Sequence, residues 1–340
     1  MNATEELNHE QETATSAIFQ SPSHSKDEYE VVSCYLCGSS EHQNFVVAED
    51  DLTGKPGKFQ FVRCTHCDLV FQNPRLTLSS VGAYYDDEYI AHRKKKNWGI
   101  LTPLYNRAMD KHDRDKVAIV NQYVTLNENS KVLDIGCGAG TFLIKVKSLF
   151  SSKISGVDFK DLRHLPWFAP IQFYHGVFYQ QNFADQRFDL ITMWHFLEHD
   201  YDPVQTLCRA RDVLSEDGRM IIEVPRLDSL SARLFQERWP GLQAPQHTVL
   251  YSKASLLAMM DKADLEIVEY LPYGSFPPYF YLFAGVAFKF LKGKGLNLSR
   301  AIYPYFLGQL LLLPVILLQR HLNLAMQTVV CRPKRKDHTS

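Results

Sequence analysis

The stretch Val132-Leu133-Asp134-Ile135-Gly136-Cys137-Gly138-Ala139-Gly140-Thr141-Phe142-Leu143 decides the fold. An apolar strand, Lys131–Ile135, runs into three glycines spaced Gly-x-Gly-x-Gly and straight on into a helix, Gly140–Phe150. Glycine reaches positive φ without a steric cost and lets a ligand approach the backbone. In a doubly wound sheet such a turn lies at the carboxyl ends of the strands, where ligands bind. Asp158 closes the next predicted strand, Lys153–Asp158, about twenty residues further on, where a carboxylate accepts hydrogen bonds from ribose hydroxyls.

Working outward, the same alternation continues. An amphipathic helix is predicted over Tyr105–Val124, strands over Ile171–His175, Phe188–Trp194 and Arg219–Val224, and a helix with proline near its start over Pro203–Leu214. A serine-capped helix over Ser252–Lys262, a strand over Leu265–Tyr270 and a last strand over Met326–Cys331 complete the series. Strands and helices alternating at these lengths imply an α/β, mostly parallel sheet covered on both faces.

Several details separate this loop from a nicotinamide-binding one. Asp134 stands two residues before the first glycine, and Ser155-Gly156-Val157-Asp158, Phe188-Asp189-Leu190-Ile191-Thr192-Met193-Trp194-His195-Phe196-Leu197-Glu198-His199 and Leu214-Ser215-Glu216-Asp217-Gly218-Arg219-Met220 follow in order. Together these segments resemble the class I S-adenosylmethionine-dependent methyltransferases, over roughly Tyr105–Tyr270. The resemblance implies a Rossmann-like, doubly wound, seven-stranded sheet. It implies S-adenosyl-L-methionine as cofactor, held by Asp134, Gly136, Cys137, Gly138, Gly140, Asp158, Phe159, Phe178 and Trp194. Gly136 and Gly138 would lie against the methionine part, Asp158 would hold the ribose, and Phe159 would border the adenine. Where many relatives carry an acid after the third strand, this chain has Gly176-Val177-Phe178-Tyr179-Gln180, so a backbone contact near Phe178 is expected instead.

Upstream, Cys34-x2-Cys37 and Cys64-x2-Cys67 are two thiolate pairs, and two such pairs close a tetrahedral structural zinc site with no open position. Gly38 follows the first pair, and Asp51–Lys58 reads as the tip of an extended hairpin between the two. The expected organisation is a disordered polar tail over 1–30, a zinc-ribbon segment over 31–74 packed on the catalytic domain, and a methyltransferase domain with N-terminal lid helices over 75–270. A hydrophobic helical hairpin over 271–325 and a last strand with a basic tail over 326–340 follow. A cysteine-rich segment before a methyltransferase domain resembles an arrangement found in bacterial methyltransferases of small molecules and sugars, although the chain lacks room for the extra C-terminal domain of the sugar C-methyltransferases.

Methyl transfer is an in-line displacement at a sulfonium and mainly a problem of positioning. A hydroxyl acceptor also needs a base. His195, Glu198 and His199 at the end of the fourth core strand, and His247 beyond the fifth, are the candidates; Glu198 and His199 have the alternative role of orienting the following helix. Tyr84-Tyr85-Asp86-Asp87-Glu88-Tyr89 is a candidate lid, and Arg93-Lys94-Lys95-Lys96 reads as a solvated charge run.

Leu271–Phe288 and Ala301–Gln319 contain no charge, and Lys289, Lys292, Lys294 and Arg300 lie between them. An interinsertion this long signals function. Crossing a bilayer twice would put the basic loop on the wrong side, so a shallow interfacial hairpin over about 271–320 is expected, with lysines at anionic headgroups. A cap on the substrate cleft and a homodimer interface are the alternatives.

The chain has 340 residues, with Lys plus Arg 37 against Asp plus Glu 38 and a net charge of -1, which argues against a nucleic-acid-coating protein. Seven cysteines, an odd number, and a polar N-terminus without an apolar core argue for a reducing, cytoplasmic setting, peripheral on the inner face of the membrane if the hairpin docks there. The expected acceptor is a small molecule or a lipid-linked glycan or quinone-like compound. A non-catalytic binding scaffold on the same fold and a zinc-ribbon nucleic-acid methyltransferase are the rival classes.

Overall fold

The computed structural model describes residues 27–85, 102–296, 298–312, 314, 318–319 and 321–335. Residues 1–26 of the polar tail, Asp86–Tyr89 of the candidate lid, Arg93–Lys96, Val315–Leu317, Arg320 and Lys336 lie outside the described residues.

The strands are β1 (Tyr29–Glu30), β2 (His42–Ala48), β3 (Phe59–Cys64), β4 (Val70–Gln72), β5 (Arg75–Leu76), β6 (Lys131–Ile135), β7 (Lys153–Asp158), β8 (Gln172–His175), β9 (Phe188–Trp194), β10 (Leu214–Pro225), β11 (Val249–Leu250), β12 (Leu265–Leu271) and β13 (Met326–Pro333). The central sheet has seven strands in the order β12-β13-β10-β9-β6-β7-β8. Strands β8, β7, β6, β9 and β10 pair in parallel, and β13 runs antiparallel between β10 and β12. The glycine stretch therefore starts from the middle of the sheet, and every neighbouring strand ends at the same edge.

Side chains alternate across this sheet with the strand period of two. Leu133, Ile135, Ile191, Met193 and Ile222 face one buried layer, while Val132, Leu190 and Ile221 face the other. Helix Pro203–Val213 has Pro203 in its first turn and Asp202 as N-cap, accepting from the Gln205 amide, and helix Lys253–Lys262 opens on a Ser252–Ser255 capping box.

The cysteine segment is not a free-standing module. Strands β2, β3 and β4 form an antiparallel sheet, and β11 joins its edge through Val249↔Phe71 and Leu250↔Val70. Tyr29–Glu30, at the end of the segment expected to be disordered, pairs with Arg75–Leu76. Arg75 is buried; it donates to Glu30, to the Tyr35 hydroxyl and to the Tyr201 carbonyl, tying this part to the main sheet.

Between β12 and β13 lie the two hydrophobic helices, Pro278–Leu291 and Leu298–Leu311. They meet through Tyr279, Phe283 and Tyr305. Among the described residues no helix is long and apolar enough to cross a membrane. The turn between the helices rests on the ribbon tip: Asp51 accepts from the Gly293 amide at 2.8 Å and from Arg238, and Leu296 donates to the Leu52 carbonyl. A Cβ on Gly54 would stand 2.8 Å from the backbone of Lys294 and Gly295, so only glycine allows this approach.

Candidate functional site

The glycine loop forms one wall of the site. Gly136, Gly138 and Gly140 have φ of +74°, +49° and +70°. Gly136 and Cys137 donate to the Val157 carbonyl, which folds the loop back onto β7. The Gly138 amide donates to Asp158 Oδ2 at 2.8 Å and the Lys160 amide to Oδ1 at 2.9 Å. The acid at the end of β7 and the glycine loop are thus brought together as the sequence predicts. A Cβ on Gly136 would lie 2.5 Å from the Phe196 ring, so Phe196 covers the loop closely. A glycine turn with left-handed backbone beside a strand-end carboxylate fits a nucleoside-bearing donor: Gly136–Gly138 would hold its amino-acid part and Asp158 its ribose.

Other predicted cofactor residues turn inward. Asp134 is buried and accepts from the Thr192 hydroxyl at 2.6 Å; burial pushes its carboxyl up to about 7. The Cys137 thiol packs against Gly156, where a Cβ would meet it at 2.7 Å. Gly140 is the left-handed N-cap of helix Thr141–Phe150, with Ile171 against it. Trp194 packs edge-on against Phe142, under the Lys116 ammonium. The Phe178 side chain is buried beside Phe183, so the adenine contact expected near it falls to its backbone. Phe159 is 48% exposed, with Tyr85 at 5.0 Å, and borders the loop from outside.

The second wall starts where β9 ends. His195 adopts φ +57°, a left-handed conformation uncommon for a non-glycine residue, and its amide donates to the Glu223 carbonyl on β10. Its Nε2 lies 3.0 Å from Glu223 Oε1, at an angle poor for a hydrogen bond but close enough for charge pairing. Glu223 is buried and accepts from the Ser275 amide, the Ser275 hydroxyl and the Phe276 amide. Burial alone would raise its carboxyl; the His195 imidazole, the Ser275 amide and His112 together hold it down to about 2. His112 is itself held down to about 3, chiefly by burial, and its ring meets the Ser275 carbonyl and Phe276.

Glu198, His199 and His247 form a cluster next to this wall, with one ligand-type atom from each within 4.8 Å of the others and Glu198 Oε1 3.8 Å from His195 Nδ1. Glu198 is 1% exposed and, among the described residues, both its carboxylate oxygens lack a hydrogen-bond partner. His247 is buried, with Nδ1 on the Gly241 carbonyl at 2.8 Å and Nε2 4.0 Å from Glu198. His199 places Nδ1 on the Gln246 carbonyl at 2.9 Å and on the Tyr85 hydroxyl at 3.0 Å. The ribbon holds this cluster in place. Gln72 on β4 donates its side-chain amide to the carbonyls of Pro245 and His247, and its backbone amide to Thr248. Thr248 in turn donates to the Glu198 carbonyl at 2.7 Å.

The four ribbon cysteines converge. Cys34 and Cys67 stand 3.4 Å apart and Cys37 and Cys64 3.5 Å apart. A disulfide needs sulfurs at about 2.0 Å, whereas tetrahedral Zn–S bonds of about 2.3 Å place them about 3.8 Å apart. The two turns are alike: Gly38 and Asp68, one after each pair, take φ of +78° and +60° and donate to the carbonyls of Cys34 and Cys64. The donor set and spacing fit zinc.

The sequence reading missed Phe196, Gln72 and Glu223. An acid inside the apolar run Met220-Ile221-Ile222-Glu223-Val224 was a signal for the last. The other two depend on contacts between distant segments.

Residues 105–270 match the family described as methyltransferase domain. That match, over just under half of the chain, supports a methyltransferase domain of the S-adenosylmethionine-dependent class. A tRNA U34 carboxymethyltransferase from Campylobacter hominis is 30% identical over 112 residues, covering 30% of this chain and 38% of that relative, so the chain spans well under half of its length. Among solved structures, a SAM-dependent methyltransferase from Thermotoga maritima is 20% identical, with a TM-score of 0.39 over 50% of this chain and 80% of that one. The CcbJ methyltransferase from Streptomyces caelestis is 14% identical, with a TM-score of 0.42 over 66% and 95%.

Proposed function

We propose that this protein transfers a methyl group from S-adenosylmethionine to a hydroxyl of a small-molecule or lipid-linked acceptor, with zinc in the Cys34, Cys37, Cys64 and Cys67 cluster as a structural element. The observation that carries the reading is the Gly136–Gly140 turn clasping Asp158 at the carboxyl edge of the sheet, next to the His195–Glu223 pair. S-adenosylmethionine supplies an electrophilic methyl group on a sulfonium. The chain's own work is alignment and proton handling. Gly136–Gly138 and Asp158 fix the donor, and Phe196 closes over the loop. His195, side chain 22% exposed and backed by a buried carboxylate, is the base for the acceptor hydroxyl. His247, fully buried, is not placed for that role.

A lipid-linked acceptor is supported by the exposed apolar face of the two-helix insertion. Phe290 is 83% exposed at the C-terminal end of the first helix, and Leu307, Leu310 and Leu311 are exposed on the second, towards the Tyr279 end of the first. Lys292 and Lys294 flank this face on the turn held by the ribbon tip. Apolar faces edged by lysine bind anionic interfaces.

Calorimetric titration with S-adenosylhomocysteine tests the donor site: binding by wild type and loss in Asp158→Ala supports it, and no binding by folded wild type refutes it. Flotation with anionic vesicles tests the acceptor side, where Phe290→Ser with Leu311→Ser is expected to abolish binding. Salt-sensitive RNA binding in place of vesicle binding would move the acceptor to nucleic acid.

A further inference from the structure

We infer that Glu198, His199 and His247 form a second metal site, for a divalent transition ion, distinct from the four-cysteine cluster. Three observations converge. One ligand atom from each residue lies within 4.8 Å of the others. Glu198 is 1% exposed and, among the described residues, neither carboxylate oxygen has a hydrogen-bond partner, with His195 Nδ1 and His247 Nε2 only at 3.8 and 4.0 Å from Oε1, an arrangement that costs several kcal/mol unless a cation or proton satisfies it. Each histidine is oriented as a ligand: Nδ1 meets a backbone carbonyl, Gly241 for His247 and Gln246 for His199. A carbonyl can only accept, so Nδ1 carries the proton and the lone pair sits on Nε2. A ring N–H bound to a backbone carbonyl is the usual outer support of a metal-binding histidine.

The donor set selects the ion. Two imidazoles and one carboxylate suit zinc, manganese, iron(II) or cobalt(II), whereas magnesium and calcium take oxygen ligands. Metal–ligand bonds of about 2.0–2.2 Å, which set tetrahedral ligand atoms about 3.4 Å apart, require the three atoms to draw together by up to about 1.4 Å from the 4.8 Å limit of their spacing. Three protein ligands leave a coordination position open, the pattern of a reactive rather than a structural site. The ribbon then has a second role. Through Gln72 it fixes the segment that carries His247, so the structural metal cluster positions a ligand of the other site. The inference does not depend on the identity of the acceptor.

The test is metal stoichiometry of the full-length protein after equilibrium dialysis against Zn2+, with Co2+ as spectroscopic probe. Wild type is expected to hold one equivalent more than Glu198→Gln and one more than His247→Gln. In cobalt protein, the weak visible bands of a nitrogen–oxygen site are expected to vanish in both variants while thiolate charge-transfer bands remain. Circular dichroism confirms that the variants fold. Equal stoichiometry in wild type and folded variants would overturn the inference. So would wild-type cobalt protein showing thiolate bands alone, which requires no variant to fold.

Discussion

The donor side and the histidine side of this cleft are built in different ways. The donor side comes from one continuous unit, β6, the glycine turn, a helix and β7, and its defining contact joins Gly138 to Asp158 only 20 residues away. The histidine side joins Glu198 and His199 to His247, and the segment bearing His247 is pinned by Gln72, 175 residues away. Local construction places a binding loop with few dependencies. Long-range construction makes the geometry of the histidine side depend on a small cysteine-bound sheet.

The sharpest way to break this contrast is to remove a ribbon ligand. Cys64→Ser, at a buried position, is expected to cost more than about 4 kcal/mol, as loss of a structural metal does. Metal analysis and thermal unfolding check it; unchanged stability would mean that the ribbon is not a support.

The next effect probes the donor side by pH. The folded-state carboxyl of Asp134 stands at about 7 against an ordinary value of 3.8. The raised folded value means that the native state keeps this proton more tightly than the unfolded chain. The stabilisation is therefore full at about pH 4 and below, and is lost as pH rises towards 7, by on the order of a few kcal/mol. Asp134→Asn is expected to flatten that slope in denaturant melts between pH 4 and 8.

Gly136→Ala is expected to cost about 1–3 kcal/mol in backbone strain. It also pushes Phe196 away, weakening S-adenosylhomocysteine binding roughly tenfold or more, since 1.4 kcal/mol is a factor of ten. Gln72→Ala is expected to have a comparable effect on stability, about 1–3 kcal/mol for two buried carbonyls left without their donor. Its value is selectivity: donor affinity should stay within about twofold while methyl transfer falls about tenfold, as for a misplaced catalytic group.

The contrast also explains what was legible in the sequence. Lys131–Ile135, Lys153–Asp158 and Phe188–Trp194 are legible to the residue, and the other core strands to within a few residues, because apolar period and turn chemistry act over short spans. The longest departure is β10, which begins at Leu214 rather than Arg219 because an irregular register at Leu214/Arg219 prolongs its pairing with β9. The cysteine cluster follows from spacing, while the bond from the Gly138 amide to Asp158 appears only in the fold. His195 and His247 could not be told apart in sequence, since the difference lies in Glu223, Ser275 and Gln72, each reached through the fold. The inward turns of Asp134, Cys137 and Phe178 were hidden for the same reason. A motif fixes where a backbone runs, and packing decides which side of it a side chain takes.

The most direct test is hydrogen exchange read by mass spectrometry, with the ribbon metal present and then removed by a chelator. The account predicts that amides of 244–251 and 197–200 lose protection when the metal is removed, while those of 131–158 keep theirs. Equal loss in both regions, or protection of 244–251 unchanged in demetallated protein, would contradict it.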